Sequence, residues 1–384
     1  MINNTPSDGE KLVEDVRAIG QKISALSSPQ LWEDISMNKL LLIIGNGFSI
    51  DFISQIDKAD KIDVRNLFRL GHTVRFPDSN TPGFLSHRHC PNLWLLGARP
   101  TQSNNECMSI IEEIITCSNM LFDYLHHSNL STDKSRVKLL DPTRQSVYIK
   151  AYSELIAYLR HLFISYNNQI SDDDLEIFLK NTDWGWKHFF VNASSKYETI
   201  KVITYNYDIW LERILNILKI EYSVGGLDET NKLVQIIKPH GSISFVPKSG
   251  KKDMFGINYT IDSGDTDIVT LSCTYNELEQ YDKSFLIPPA GDSSRQQTNI
   301  WSKRLRELAI SAIKDLSEAD DVFFCGMSYW HVDRKELDEL LINLNQSVNI
   351  TLINPSLPKE LNAVLVTLFE KYTVFTSSES LKEV

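Results

Sequence analysis

The stretch Leu41-Leu-Ile-Ile-Gly-Asn-Gly-Phe-Ser49 indicates the fold class. Its apolar part is short, continuous and bounded by Gly45, which predicts a strand buried on both faces of a parallel sheet. The Gly-x-Gly turn from Gly45 to Gly47 predicts the start of a helix, where backbone N–H groups can approach a diphosphate closely. Ile50 stands where the dinucleotide-binding fingerprint has a third glycine. A plain tight turn after the strand is therefore the alternative interpretation.

Outward from this strand, short apolar strands and helices alternate along the chain. Such alternation predicts an α/β fold, with a Rossmann-like parallel sheet flanked by helices. The strands are predicted at 200–204, 234–237, 285–287, 321–325 and 348–353, and the helices at 207–219, 303–316, 333–344 and 358–370.

The chain is predicted to have three parts. Residues 1–37 are an N-terminal helical segment, because apolar residues recur there at helical spacing. The Rossmann-like domain comprises residues 38–57 and 200–384. Between them, residues 58–199 form an insertion subdomain that is loop-rich to about residue 100 and helical at 106–126 and 146–167.

Two polar motifs follow strands of this sheet and carry the candidate catalytic residues. Thr204-Tyr-Asn-Tyr-Asp208 ends one strand, and Lys238-Pro-His-Gly-Ser242 ends another. Ligands of open α/β sheets bind beyond the carboxyl ends of strands, so Asn206, Asp208 and His240 lie where a ligand is expected. Histidine titrates near neutrality and can accept a proton from a ribose hydroxyl or a water. The alternatives are a helix cap for Asn206 or Asp208 and a structural role for His240.

Two further strand ends give weaker signals. The apolar run from Val322 breaks at Gly326 and makes the Ser328 hydroxyl available to a phosphate or a ribose. The strand predicted at 348–353 ends on the amide side chain of Asn354. Each of these signals is weak by itself, and their value depends on the other strand ends.

Composition disfavours several classes of protein. The formal net charge of −11 is unsuited to a broad phosphate-backbone footprint, so we do not expect direct nucleic-acid binding. With neither a long apolar run nor a secretory start, we expect a cytoplasmic protein without a membrane partner. The five cysteines form no C-x-x-C pair, so no zinc site is expected. His87, His89 and Cys90 could ligate a metal, but an ordinary polar loop is the simpler interpretation.

Together, and in this order, the five motifs resemble the sirtuin superfamily. Residues 45–49 are similar to its Gly-Ala-Gly-Ile-Ser loop, residues 204–208 to its Thr-Gln-Asn-Ile-Asp, and residues 238–242 to its catalytic His-Gly. Downstream, residues 325–328 resemble its Gly-Thr-Ser turn and residues 353–356 its Ile-Asn segment. The five blocks span residues 40 to 356.

The departures from sirtuins are informative. The four cysteines of the sirtuin zinc module are absent, and no Asp-Phe-Arg follows the first loop at the usual distance. With its helical insertion, the chain instead resembles the sirtuin-like NAD hydrolases of bacterial anti-phage defence, and Phe285-Leu-Ile-Pro-Pro289 is similar to an element of that branch. This resemblance implies cleavage of NAD to nicotinamide and ADP-ribose, and abortive infection through NAD depletion.

The resemblance also implies roles for the candidate residues. Asn206 would orient the water or the nicotinamide ribose, His240 would accept a proton, and Asp208 would hydrogen-bond the ribose. Ser328 and Asn354 would lie at the adenosine end. The remaining NAD-binding residues would be Gly45, Asn46, Gly47, Phe48 and Ser49, which cradle the diphosphate, with Thr204 and Gly326.

Partners and rival functions follow from the same resemblance. Some members of this branch work with a separate hexameric ATPase of the DNA-translocase type, and this chain has no Gly-x-x-x-x-Gly-Lys-Ser/Thr loop of its own. A homo-oligomer is expected, because an NAD hydrolase must be kept silent until it is triggered. Three alternatives stay open: an NAD-dependent protein deacylase, a non-catalytic NAD or ADP-ribose sensor, and a nucleic-acid-processing subunit.

Overall fold

A computed structural model of the protein describes residues 38–383, except 78, 127–145, 229–231, 249–254, 260–267, 271–276, 282, 290–299 and 330–333. The N-terminal helical segment predicted at residues 1–37 lies outside the described residues. No helix in the described part of the chain is both long enough and apolar enough to cross a bilayer.

Seven strands of the described chain form one parallel sheet, as the alternation of strands and helices predicts. In chain order they are β1 (Lys39–Ile44), β4 (Thr199–Thr204), β5 (Tyr222–Val224), β6 (Val234–Ile237), β9 (Asp321–Cys325), β10 (Asn349–Ile353) and β11 (Lys371–Phe375). In space the order is β11-β10-β9-β1-β4-β6-β5. The outer hairpins are β2 (Arg75–Phe76) with β3 (Thr81–Pro82), and β7 (Phe245–Pro247) with β8 (Ile268–Thr270).

The first strand lies in the middle of the sheet, where the chain changes direction. After β1 the chain adds β4, then the edge strand β5, and then β6 between them. It later returns to add β9, β10 and β11 on the other side. The register brings Ile44 level with Thr204 on one neighbour and with Cys325 on the other. This arrangement is Rossmann-like, except that β6 lies between β4 and β5, and its topological switch point lies between β1 and β9.

Helices cover both faces of the sheet. Alternate residues of β1 face opposite sides, so Leu40, Leu42 and Ile44 join one buried cluster and Leu41 and Ile43 another. The helices are α1 (Asn46–Gln55), α2 (Pro91–Leu95), α3 (Asn104–His126), α4 (Val147–Asn167), α5 (Asp172–Asn181), α6 (Gly185–Lys196), α7 (Trp210–Ile217), α8 (Ile300–Lys314), α9 (Arg334–Asn343) and α10 (Lys359–Leu368).

The insertion shares its core with the sheet. Buried residues of α3, α4 and α6 belong to the same cluster as one face of β1, and Trp184 is packed against Phe48 and Phe52 of α1. The two long helices predicted here are confirmed, at Asn104–His126 and Val147–Asn167. The opposite face is covered by α8, α9 and α10.

The strand predicted at 285–287 is wrong. Leu286 makes only an isolated bridge to Gly241, and the segment is bonded to the loop after β6 instead of to a strand of the sheet. Pro288 and Pro289 follow directly and have no N–H groups, so they cannot extend a ladder of hydrogen bonds. The segment therefore supports the residues around His240.

Candidate functional site

A cavity of about 910 Å³ lies at the carboxyl ends of the strands, at the switch point of the sheet. Most of the predicted site residues line it, including Asn206, Asp208 and His240. Its wall is made of the segments that follow β1, β4, β6, β9, β10 and β11, closed on one side by Met108 and Phe163 of the insertion. Ser49 and Thr204 do not line it, since both are buried behind this wall.

The glycines after β1 allow two backbone segments to meet. The Gly45 N–H donates to the Cys325 carbonyl at 2.9 Å, and the Gly47 N–H donates to the Gly326 carbonyl at 3.1 Å. A Cβ atom on Gly47 would lie 2.4 Å from the Gly326 Cα, so neither loop tolerates a side chain there. The turn after β1 and the turn after β9 therefore form one close-packed floor for the cavity.

The rest of the first loop is divided between the cavity and the core. The Asn46 side-chain amide donates to the Val64 carbonyl at 2.9 Å, which ties the loop to the insertion. Phe48 is buried against Trp184 and Trp186 and shows the cavity only part of its surface. Ser49, predicted to cradle a diphosphate, is fully buried and directs its hydroxyl at Asp208.

Asn206 is held in place by three acceptors, two in the segment after β1 and one at the end of β4. Its side-chain nitrogen donates to the Gly45 carbonyl at 3.1 Å and to the Ser49 hydroxyl at 3.0 Å, and its backbone N–H donates to the Thr204 hydroxyl at 3.2 Å. A carbonyl oxygen can only accept, so the nitrogen of the amide must face Gly45. The amide oxygen is then the atom with which Asn206 can accept a hydrogen bond from a ligand or a water.

Asp208 is a buried carboxylate that orders this group. It accepts a hydrogen bond from the Ser49 hydroxyl at 2.7 Å and one from the Trp210 N–H at 3.3 Å. Burial raises the pKa of Asp208 to about 6, and this rise is opposed by the positive charge of Lys238 and by the hydrogen bond from Ser49. Asp208 is therefore mostly ionised at neutral pH and becomes protonated in mildly acidic solution.

Lys238 connects the ends of β4 and β6. Its ammonium group donates to the Asp208 carbonyl oxygen at 2.6 Å and to the Glu212 carboxylate at 2.7 Å. Both side chains of the ion pair are almost completely buried, at 1% and 2% exposure. The sequence pattern included Lys238 in a motif without giving it a role. Its partner Glu212 was missed, because only the fold brings the two strand ends together.

His240 lies at the cavity wall in a loop fixed on both sides. Gly241 has a φ of +83°, and a Cβ there would lie 2.0 Å from the Phe285 carbonyl oxygen, so only glycine fits this turn. The Ile287 N–H donates to the His240 carbonyl at 2.9 Å. The imidazole Nε2 lies 2.8 Å from the Glu336 carboxylate, and the ring packs edge-on against Tyr205.

The turns after β9 and β10 complete the cavity. Gly326 has a φ of +61°, and the exposed Ser328 follows it at the cavity wall. The Asn354 amide donates to the Met327 carbonyl at 2.8 Å and accepts from the Ser356 N–H at 3.2 Å. Asn354 therefore holds these two turns together, and Ser328 presents the more accessible polar group.

The sequence patterns missed Arg65, a cation at the cavity wall. Arg65 is exposed and follows Asp63 and Val64, so an Asp-x-Arg segment reaches the cavity from the insertion. The hydrogen bond from Asn46 to the Val64 carbonyl fixes this segment beside the first loop. The order Asp-x-Arg was a signal available in the sequence. We did not assign it because it lies farther from the first loop than the Asp-Phe-Arg of sirtuins.

The described residues contain no group of three or more His, Cys, Asp or Glu side chains arranged for a metal ion. His89 is stacked on Phe76 with 4.0 Å between ring centroids, and Cys90 is buried, which raises the pKa of its thiol. These contacts account for two of the three residues that the sequence offered as a metal site.

No protein-family model matches this chain, and a search of curated proteins finds no match. Its classification therefore rests on the α/β fold and on the geometry of the cavity.

Proposed function

We propose that this protein is an NAD hydrolase that cleaves the bond between nicotinamide and ribose, giving nicotinamide and ADP-ribose. The observation that carries the proposal is the convergence of all five strand-end motifs on one cavity at the switch point. These motifs resemble those of sirtuins in kind and in chain order. The carboxyl ends of parallel strands meet at one edge in any such sheet, so the support lies in the kinds of side chain that meet there and in their chain order.

The cavity suits a dinucleotide. Its volume of about 910 Å³ is near the upper end of the usual range for ligand pockets, roughly 300–1,000 Å³. The N-terminus of α1 begins directly after Gly45 and supplies a positive dipole end, which favours a diphosphate. The N–H groups of Gly45 and Gly47 are already donated to the end of β9 and the turn after it. In this proposal Arg65 adds a positive charge at the wall that pairs with the same group.

The proposed chemistry begins with loss of nicotinamide through a transition state resembling an oxocarbenium ion. Asn206 would orient the attacking water or the ribose through its amide oxygen, since its nitrogen is already bonded to Gly45 and Ser49. Asp208 holds Ser49 and thereby Asn206. A direct bond from Asp208 to the ribose stays a prediction.

His240 would accept the proton released as the water or a ribose hydroxyl reacts. His240 is 4% exposed and lies on the cavity wall, so a base at this position is shielded from bulk water. Asn206 and His240 follow neighbouring strands, β4 and β6, and both line the same cavity.

We further propose that the activity serves anti-phage defence through NAD depletion, in the cytoplasm and under the control of assembly. The support is the resemblance to that branch of sirtuin-like proteins, together with the need to keep such an enzyme silent. A homo-oligomer and a separate hexameric ATPase are the proposed controls. Both would act on the same NAD-cleaving cavity.

The test is release of nicotinamide from NAD by the purified full chain, alone and with the product of the neighbouring gene. Asn206→Ala should lower the rate by about 100-fold or more, because general acid–base groups and their positioning contribute that much. Asn192→Ala is the matched control, since Asn192 is an exposed residue of α6 outside the cavity wall.

Each rival function has its own outcome in this experiment. Tight binding of NAD without release of nicotinamide would identify a sensor. Release that requires an acyl-lysine peptide would identify a deacylase. Equal rates for wild type and Asn206→Ala would show that this cavity is not the site of cleavage.

A further inference from the structure

We propose that Glu336 is a positioning residue for His240, and that its negative charge stabilises the imidazolium formed when His240 accepts a proton. This inference rests on the proposed function, since it gives His240 the role of base. It adds a residue from α9, which none of the five motifs contains.

The geometry consists of three side chains from three elements. Glu336 lies in the first turn of α9, with one carboxylate oxygen 2.8 Å from His240 Nε2. Its other oxygen lies 2.9 Å from the Nε of Arg306, on α8. The side chains are 5%, 11% and 19% exposed for His240, Glu336 and Arg306, so water screens the pair weakly.

The charges around His240 favour this role. Arg306 lies beyond Glu336, close enough to the far carboxylate oxygen to form an ion pair with it. The face toward β4 carries the neutral ring of Tyr205. Lys238, two residues before His240, directs its ammonium group to Glu212 and the Asp208 carbonyl. Glu336 thus places a negative group in direct contact with the imidazole.

The pairing determines how the ring can act. A carboxylate accepts hydrogen bonds, so in the neutral ring the Nε2 proton of His240 points at Glu336 and Nδ1 is the basic nitrogen. The resulting imidazolium is stabilised by the adjacent negative charge. A glutamine at position 336 could accept the same hydrogen bond but would lack the charge.

Glu336→Gln therefore separates charge from orientation. We expect kcat for NAD cleavage to fall by at least about 10-fold, with little change in KM, because the charge acts on proton transfer. The acidic limb of the kcat profile should move to lower pH by about one unit, since an adjacent opposite charge shifts a titration by that order. Glu339→Gln, on an exposed residue of the same helix, is the matched control and should leave both unchanged.

A second measurement does not depend on turnover. The ring ¹⁵N resonances of His240, assigned by their loss in His240→Ala, should titrate at lower pH in Glu336→Gln than in wild type. A melting curve of each variant shows that it is folded. A wild type that releases no nicotinamide under any condition would remove the proposed function itself.

Two results would overturn the inference while the proposed function stands. One is an active wild type whose kcat, pH profile and His240 titration are unchanged by Glu336→Gln. The other is a variant faster than wild type, which would show that Glu336 blocks His240 and does not support it.

Discussion

The two ends of the central sheet carry similar charged side chains in different surroundings. At the amino end, the ammonium groups of Lys39 and Lys201 both contact Asp315, at 3.3 and 3.1 Å. The Asp315 side chain is 54% exposed, and its hydrogen bond with Lys201 lowers its pKa. These three charged side chains are paired while each stays partly exposed to solvent.

At the carboxyl end, the same residue types are buried. Asp208 is 4% exposed, and burial raises its pKa to about 6, in the opposite direction to Asp315. Lys238 is paired with Glu212 out of contact with water. A buried charge costs free energy of folding unless it is well paired. The charged groups that are expensive to bury therefore lie at the carboxyl end of the sheet, beside the cavity. The comparison predicts that equivalent substitutions have unequal effects at the two ends.

Lys238→Met should have the largest effect. It leaves Glu212 buried without its ion partner, which costs about 3–5 kcal/mol of unfolding free energy. Urea denaturation of the purified variant measures this loss. The double variant Lys238→Met/Glu212→Leu should recover part of it, because no buried charge of the pair is left alone. If the double variant is as unstable as the sum of the two single variants, the ion pair is not what stabilises this end.

The pH dependence of stability tests Asp208 itself. Its pKa is about 6 in the folded chain and 3.8 ordinarily, so between these values the folded state binds more protons than the unfolded state. Stability attributable to Asp208 therefore falls as pH rises through this window, by about 3 kcal/mol in total, and the penalty is complete above about pH 6. Below 3.8 both states are protonated and the penalty is absent.

Asp208→Asn removes this titration. Denaturation curves give the free energy of unfolding of wild type and variant at each pH in this window. As pH rises, the free energy of unfolding of the variant should increase relative to that of wild type. A difference in stability that is independent of pH would mean that Asp208 keeps its ordinary pKa in the folded state.

Gly47→Ala tests the close-packed floor of the cavity. The new Cβ would lie 2.4 Å from the Gly326 Cα, so the two turns must separate, at a cost of about 1–3 kcal/mol. NAD cleavage should fall as well, since the first loop would move away from the diphosphate of the proposed substrate. Gly256→Ala is the matched control, because a Cβ there meets open space. Equal melting temperatures for the two variants would contradict the packing of Gly47 on Gly326.

The sequence was sufficient for the architecture of the sheet and insufficient for parts of its periphery. The apolar runs at β1, β6 and β9 predict buried strands because burial on both faces requires continuous hydrophobicity. The edge strand β11 was missed, since its residues are largely exposed and carry little pattern. Helix α5 was also missed, although Ser171 and Asp174 form a capping box at its start.

The candidate site was predictable to the extent that its residues follow strands. Asn206 and His240 could be identified because the carboxyl ends of parallel strands meet at one edge of the sheet. Glu336 and Arg306 could not, since each stands in an ordinary polar helix and gains its role only by contact across the fold. We predicted that Ser49 contacts the ligand, whereas in the structure Ser49 is buried and its hydroxyl donates to Asp208.

Lys201→Met should have the smallest effect, and it is the same chemical change as Lys238→Met at the opposite end of the sheet. Lys201 keeps 20% of its side chain exposed and pairs with a carboxylate that is half exposed, so its removal should cost less than about 1 kcal/mol. This cost should shrink further in high salt, which screens exposed pairs. NAD cleavage should be unchanged, because the amino end is remote from the cavity wall. A loss of stability as large as that of Lys238→Met would show that burial does not distinguish the two ends of the sheet.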